Sequence, residues 1–250
     1  MLVAAIYFAY LTALGAVRRR LRPTAFALLT LASVLLVGTP HVMPLIYLLI
    51  GYWLPAMLVR TPNVAFERHL LQFDRTLFGP DGLDAFARQA PRALLEYLEL
   101  SYLLCYAVVP AGFVWLTVAG FEANANRFWS IVLLSSFACY GVLPWLPTRA
   151  PRAVEGTRPG RSFIRSVNLH VLDRASVQWN TFPSGHTAAS AATALAVASD
   201  VPIAGIVLGV VAASIALGSV VGRYHYAIDA IAGGAVAVVT WVTASGVHAL

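Results

Sequence analysis

Apolar runs long enough to enter a bilayer recur along this chain, at about residues 2–17, 24–38, 41–59, 95–119, 127–146, 184–199, 202–221 and 228–248. In hydrocarbon every backbone N–H and C=O must find its partner within the chain, which leaves helices or a closed barrel. Continuous apolar runs with no alternation at a period of two select helices, and their length is measured against the ~20 residues that cross hydrocarbon. The expected fold is therefore all-α: a polytopic transmembrane helical bundle of six core helices, plus one or two N-terminal helices. Residues 1–40 read as an N-terminal hydrophobic extension and 41–250 as the core; Gly38, Thr39 and Pro40 make 24–38 and 41–59 either a hairpin or one broken element. Only 11% of the 250 residues are charged, whereas soluble domains run near a quarter. A soluble domain, a disordered chain and a soluble nucleic-acid binder are thereby excluded. Cys105 and Cys139 fall inside apolar runs and read as small buried hydrophobes rather than redox or metal groups. Met1 to Val17 lacks a basic start, and Arg18, Arg19, Arg20 and Arg22 follow it, the order of a retained anchor rather than a cleaved signal.

Two polar segments separate the runs. Arg60 to about Leu94 mixes charged residues with Leu70, Leu71, Leu77, Leu83 and Phe86, the pattern of amphipathic helices lying along the interface and broken at Gly79-Pro80-Asp81-Gly82. Residues 147–182 carry Arg149, Arg152, Arg158, Arg161, Arg165 and Arg174 in a loop too long to be a simple turn. All 17 basic residues are arginine, and the formal charge is +6. Counting crossings puts 16 of the 17 on one face, with Arg127 opposite. The positive-inside rule assigns that face to the cytoplasm, unless the arginines are placed for substrate and report less about insertion. Arginine's planar fork grips phosphate at two points.

Two short segments carry chemistry, Phe182-Pro183-Ser184-Gly185-His186-Thr187 and Gly222-Arg223-Tyr224-His225-Tyr226-Ala227-Ile228-Asp229. Ser184 precedes an apolar helix, where a serine caps free amides; Gly185 lets backbone approach a ligand, and a helix start of this kind holds anions. A plain serine cap with an interfacial histidine is the equally weighted alternative. The tight Asp200-Val201-Pro202 break returns the next helix to the same face, so His225 comes level with His186. His225 and Asp229 stand at i and i+4, where a carboxylate orients the ring and frees its other nitrogen to attack. An Asp at the end of an apolar helix needs such a partner. Two histidines, a helix start and arginines suit phosphoryl transfer. A metal site at His186, His225 and Asp229 is the rival; no HExxH or cysteine pair accompanies them, and arginines repel cations.

The two segments resemble the second and third signature motifs of the type-2 phosphatidic acid phosphatase superfamily, six-helix membrane lipid-phosphate phosphatases related to vanadium haloperoxidases. The resemblance implies Ser184 and Gly185 on phosphate, His186 as general acid, His225 as the nucleophile that becomes a phosphohistidine, and Asp229 orienting His225. It implies no metal and no organic cofactor, a lipid phosphate as substrate, and a multi-pass protein of the bacterial inner membrane, where most relatives work on the outer face. The first motif departs from the family pattern: Arg158-Pro159 is present, but Pro151 stands where lysine is usual. Pro147-Thr148-Arg149-Ala150-Pro151-Arg152 instead resembles a motif of the branch that includes inositol phosphorylceramide synthases, as does Phe73-Asp74-Arg75-Thr76-Leu77-Phe78-Gly79. Ser219 occupies the place of the usual third-motif arginine, with Arg223 two residues before His225. Phosphate gripping is therefore expected from Arg152 and Arg223 first, then Arg149 and Arg158.

The likeness covers about 41–248 and points to a lipid-phosphate phosphatase, or to a phosphotransferase moving a headgroup such as phosphoinositol. A proton-coupled transporter is the non-enzyme alternative; it calls for polar groups at mid-membrane, whereas these lie at helix ends. His41, His69 and His170 read as interfacial, and Tyr102, Tyr106 and Tyr140 as packing between helices. Trp53, Trp145, Trp179 and Trp241 suit an aromatic belt. Bilayer lipids are the expected surroundings, nucleic acid is not an expected partner, and oligomeric state is left open.

Overall fold

The computed structural model describes residues 1–37, 43–156 and 162–247. Among these the chain is all-α, as expected, with thirteen α-helices and no strand; one isolated antiparallel bridge joins Thr148 and Asn180. The helices are α1 (Leu2–Val17), α2 (Leu21–Val37), α3 (Met43–Trp53), α4 (Val64–Phe78), α5 (Gly82–Gln89), α6 (Arg92–Leu103) and α7 (Val108–Val118). They continue with α8 (Ala125–Tyr140), α9 (Pro151–Glu155), α10 (Phe163–Ala175), α11 (Gly185–Ala198), α12 (Pro202–Val221) and α13 (Ala227–Val247). Two of them, Pro202–Val221 and Ala227–Ala244, are long and apolar enough to cross a membrane; the bent pair Arg92–Tyr106 and Val108–Val118 makes a third if it is one span. Helices α1, α2 and Met43–Leu58 are apolar but shorter.

Helix α11 is the hub, packed against α7, α8, α12 and α13. Its sequence explains this: Ala188, Ala189, Ala192, Ala196 and Ser190 are buried around its whole circumference, and small residues let neighbouring backbones close in. Gly112, Gly205 and Gly233 do the same from the neighbours. A Cβ on Gly205 would stand 2.3 Å from Ala198 Cα, and one on Gly233 would stand 2.4 Å from the Ser184 carbonyl oxygen. The last contact matters for function, because it lets α13 approach the start of α11.

Three expectations need correction. The run 95–119 is not one helix: it turns by 66° between α6 and α7, through a 3-10 stretch at Leu104–Tyr106. Pro110 lies in the first turn of α7, without an N–H to give and with its ring against the carbonyl of Tyr106, so an unbroken helix cannot pass. The run 127–146 ends early, at Tyr140, because Pro144 forbids continuation and disfavours helix at Leu143. Third, 147–182 is not an open loop but holds α9 and α10. Ser162 caps α10, accepting a hydrogen bond from the Arg165 N–H at 3.0 Å. Whether α2 and α3 form a hairpin turns on residues 38–42, outside the described residues, as are His41 and His248.

Arg60 to Leu94 holds the amphipathic α4 and α5, which bury Leu70, Leu71, Leu83 and Ala87. Asn63 caps α4 through its side chain, and Gly79 breaks the pair at φ 85°, a conformation open to glycine.

Candidate active site

His225 sits just before α13 and Asp229 in its first turn. Two amides lock His225 in place, since the N–H groups of Tyr224 and His225 both donate to the Ser219 carbonyl, at 2.8 and 3.0 Å. Ser219 thus supplies a backbone acceptor where the family pattern has an arginine. The Asp229 carboxylate is wholly buried. Its Oδ2 lies 3.4 Å from His225 Nδ1 and accepts the Tyr226 N–H at 3.1 Å and the Asn180 amide at 2.7 Å. The contact to the ring is at the long end for a hydrogen bond, as resting catalytic contacts often are. Because it engages Nδ1, Nε2 is the nitrogen left to react.

His186, in the first turn of α11, faces His225 with ring centroids 6.0 Å apart. The Ser184 N–H donates to the Asp229 carbonyl at 2.9 Å, which ties the two segments together directly. Around His186 stand Tyr52, Tyr102 and Tyr106, with ring centroids 5.8, 5.9 and 5.8 Å away. Tyr102 and Tyr106 therefore do more than pack between helices; they wall a histidine. Tyr52 was not singled out in the sequence, where nothing separates it from other helix tyrosines.

Both histidines line one small cavity, of about 30 Å³, together with Tyr52, Tyr102, Tyr140 and Arg152. Arg152 lies with its guanidinium carbon 5.0 Å over the Tyr224 ring, which itself stacks on Tyr102 at 4.0 Å. Among the described residues Arg152 has no carboxylate partner, so its donors are available to an anion.

The other arginines expected to grip phosphate are placed differently. Arg149 forks onto Glu67, Nε to Oε1 at 3.0 Å and Nη2 to Oε2 at 2.8 Å. Burial works against a charged Glu67, but the Arg149 hydrogen bonds outweigh it and hold the carboxyl below its ordinary pKa. Arg223 is buried, at φ 61°, and pairs with Glu155 and, at 3.8 Å, with Asp74. Neither guanidinium lines the histidine cavity. Arg158 lies outside the described residues. Ser184 and Gly185 also stand behind the cavity wall. Their amides are spent on the protein, Ser184 on Asp229 and Gly185 on the Thr181 hydroxyl at 3.2 Å, while Ser184 Oγ accepts the Thr187 N–H. Gly185 makes room for a neighbour: a Cβ there would meet the Tyr140 ring at 2.1 Å.

A buried layer supports this arrangement. Glu99 accepts Arg165 Nη1 at 2.6 Å, Asn168 Nδ2 at 2.8 Å and the Tyr224 hydroxyl at 2.5 Å. Burial and the Glu99 charge push the Tyr224 phenol well up, so it stays a donor. Asp74, in the Phe73–Gly79 segment, accepts the Ala227 N–H at 2.9 Å and so caps α13 from α4. Its burial raises the carboxyl pKa to about 6, against the lowering effect of the Ala227 hydrogen bond and Arg223. Arg75 reaches Glu155 at 2.8 Å, so the Asp74-Arg75 dipeptide clamps α9 and Arg223 to α4. Among the described residues no cluster of three His, Cys, Asp or Glu side chains is set to hold a metal ion.

Searches of curated proteins and of solved structures returned no significant match. A family model, that of the PAP2 superfamily, matches residues 68–243, which takes in α4 through most of α13 and both histidine segments. The chain belongs to the PAP2 superfamily, a group of phosphatases and phosphotransferases.

Proposed function

We propose that the protein is an integral membrane lipid-phosphate phosphatase that works through a phosphohistidine on His225. The observation that carries this reading is the pair of histidine rings on one cavity, with Asp229 at the Nδ1 edge of one and Arg152 on the same wall. In the first step the Nε2 lone pair of His225 attacks phosphorus, the ester P–O bond breaks, and the leaving oxygen takes a proton from His186. Arg152 neutralises the equatorial oxygens, and Asp229 stabilises the positive charge that develops on the His225 ring. In the second step a water oxygen attacks phosphorus, gives its proton to His186, and the P–N bond breaks. Nothing in these steps calls for a metal.

Arg152 is half-buried on the short α9, where its backbone N–H donates to the Arg223 carbonyl at 3.1 Å. A transferase reading rests on a separate observation: the segment Pro147–Arg152, which resembles the inositol phosphorylceramide synthase branch, supplies Ala150 and Arg152 to the cavity wall. There an alcohol such as inositol replaces water in the second step. Purified protein given a panel of labelled lipid phosphates, with and without inositol, separates the two. Labelled inorganic phosphate in both arms supports hydrolysis, and a labelled inositol phosphate ester supports transfer. Turnover unchanged in His225→Ala would sink both.

A further inference from the structure

A second, much larger cavity opens beside the end of α1, with a volume of about 950 Å³. Its polar lining comes from Arg18, Arg19, Arg20, Arg60, Thr61 and Asn63, and no carboxylate lines it. It shares no lining residue with the histidine cavity. Each arginine has a distinct situation. Arg18 is a strut: Nη1 donates to the Leu58 carbonyl at 2.8 Å, Nη2 to the Pro144 carbonyl at 2.9 Å, and its guanidinium lies 4.9 Å over the Trp145 ring. It thereby holds three walls together. Arg19, Arg20 and Arg60 have no carboxylate partner among the described residues, so their forks point no charge at a protein group.

Arg19 adds an independent sign. It turns the chain from α1 to α2 at φ 54°, a left-handed conformation that favours glycine or asparagine. Glycine would serve the turn alone without that backbone cost, whereas arginine there puts a guanidinium on the cavity lining. Charge scattered in a loop would satisfy the positive-inside bias; four arginines from two chain segments lining one open cleft do more. Its remaining lining is apolar, with Val17, Pro144 and Trp145 at the end of an apolar helix. Guanidinium groups beside an apolar and aromatic wall fit a charged head attached to a lipid.

We propose that this cavity binds the phosphate of an anionic lipid headgroup, as a site separate from the histidine cavity. The N-terminal hairpin α1–α2 then has a task, which is to build one wall of a lipid site. The floor of that site, Pro144 to Pro147, runs directly into Thr148, whose partner Asn180 donates to Asp229. The Asn63 N–H pins the floor by donating to the Pro147 carbonyl at 2.7 Å. An occupied site therefore bears on the bridged segment whose partner Asn180 holds the Asp229 carboxylate.

The test is thermal unfolding of the purified full chain in detergent, titrated with phosphatidylglycerol, phosphatidylcholine or inorganic phosphate. Phosphatidylglycerol is expected to raise the Tm of the wild type and of His225→Ala alike, and phosphatidylcholine to do so far less. Stabilisation by inorganic phosphate at equal concentration would assign the same anion site to the free ion. Arg19→Gln/Arg20→Gln/Arg60→Gln is expected to weaken the phosphatidylglycerol effect about tenfold or more. Because that variant removes charges that guide insertion, Thr61→Glu is its companion: it keeps every arginine and places a carboxylate in the cavity, with the same expected loss. Arg68→Gln/Arg88→Gln, on the exposed faces of α4 and α5, controls for general surface charge. Equal stabilisation in wild type, the triple variant and Thr61→Glu would overturn the proposal.

Discussion

Two sets of arginine surround the histidine pair, and only one faces it. Arg152 lies on the cavity wall with no carboxylate partner among the described residues. Arg149, Arg165 and Arg223 stand nearby in sequence or space, yet each is matched to Glu67, Glu99, or Asp74 with Glu155. At the far end of the bundle Arg127 is matched in the same way, to Asp200. A guanidinium already forked onto a carboxylate is a structural part, while an unmatched one beside a cavity is a place for an anion. Net charge does not distinguish them; placement does.

The comparison is broken most severely by the histidines themselves. His186→Ala and His225→Ala are each expected to cut turnover by about 10⁴-fold while leaving the unfolding temperature close to that of the wild type. Steady-state kinetics beside a melting curve checks both halves of that statement. The matched set should show the opposite pattern. Arg165→Met leaves Glu99 buried and unpaired, with both side chains under 10% exposed, and is expected to cost about 3–5 kcal/mol of stability. Adding Glu99→Leu should restore much of that loss, as measured by denaturant unfolding. Arg152→Ala sharpens the contrast: about 10²-fold off kcat/KM, with little change in stability.

The smallest effect is a pH dependence. Asp74 has a folded pKa of about 6, above its ordinary carboxylate value, so the folded state holds its proton more tightly than the unfolded state. Stability from this group is present at low pH and falls as pH rises from about 4 through 6, then levels. In Asp74→Asn, which keeps an acceptor for the Ala227 N–H, that falling component is expected to vanish. The difference between wild-type and variant unfolding free energies across pH 4–7 measures it.

Much of the bundle was legible because apolar length and proline position act locally. Helix α12 begins at Pro202 and ends at Val221, where the sequence places it, since Pro202 is welcome in a first turn and Gly222 ends the run. The convergence of His186, His225 and Asp229 was legible too, from one tight turn and an i, i+4 spacing. What was not legible depends on contacts between distant segments. The buried face of α10 carries Arg165, Asn168 and Leu172, so no apolar stripe announces that helix; its polar members are buried only because Glu99 arrives from α6. The ion pairs of Arg149 and Arg223 were hidden for the same reason, because their partners Glu67, Asp74 and Glu155 lie on other elements. Tyr52 came to the site through the packing of α3, which no local pattern reveals.

The central claim is that His225 carries the phosphoryl group. The direct measurement incubates the purified wild type, His186→Ala and His225→Ala with phosphatidic acid labelled at phosphorus, quenches in alkali, and maps the labelled peptide by mass spectrometry. The account predicts an alkali-stable, acid-labile phosphate on His225 of the wild type, formed more slowly in His186→Ala and absent from His225→Ala. Hydrolysis at the wild-type rate by His225→Ala, or label carried on a different residue, would contradict it.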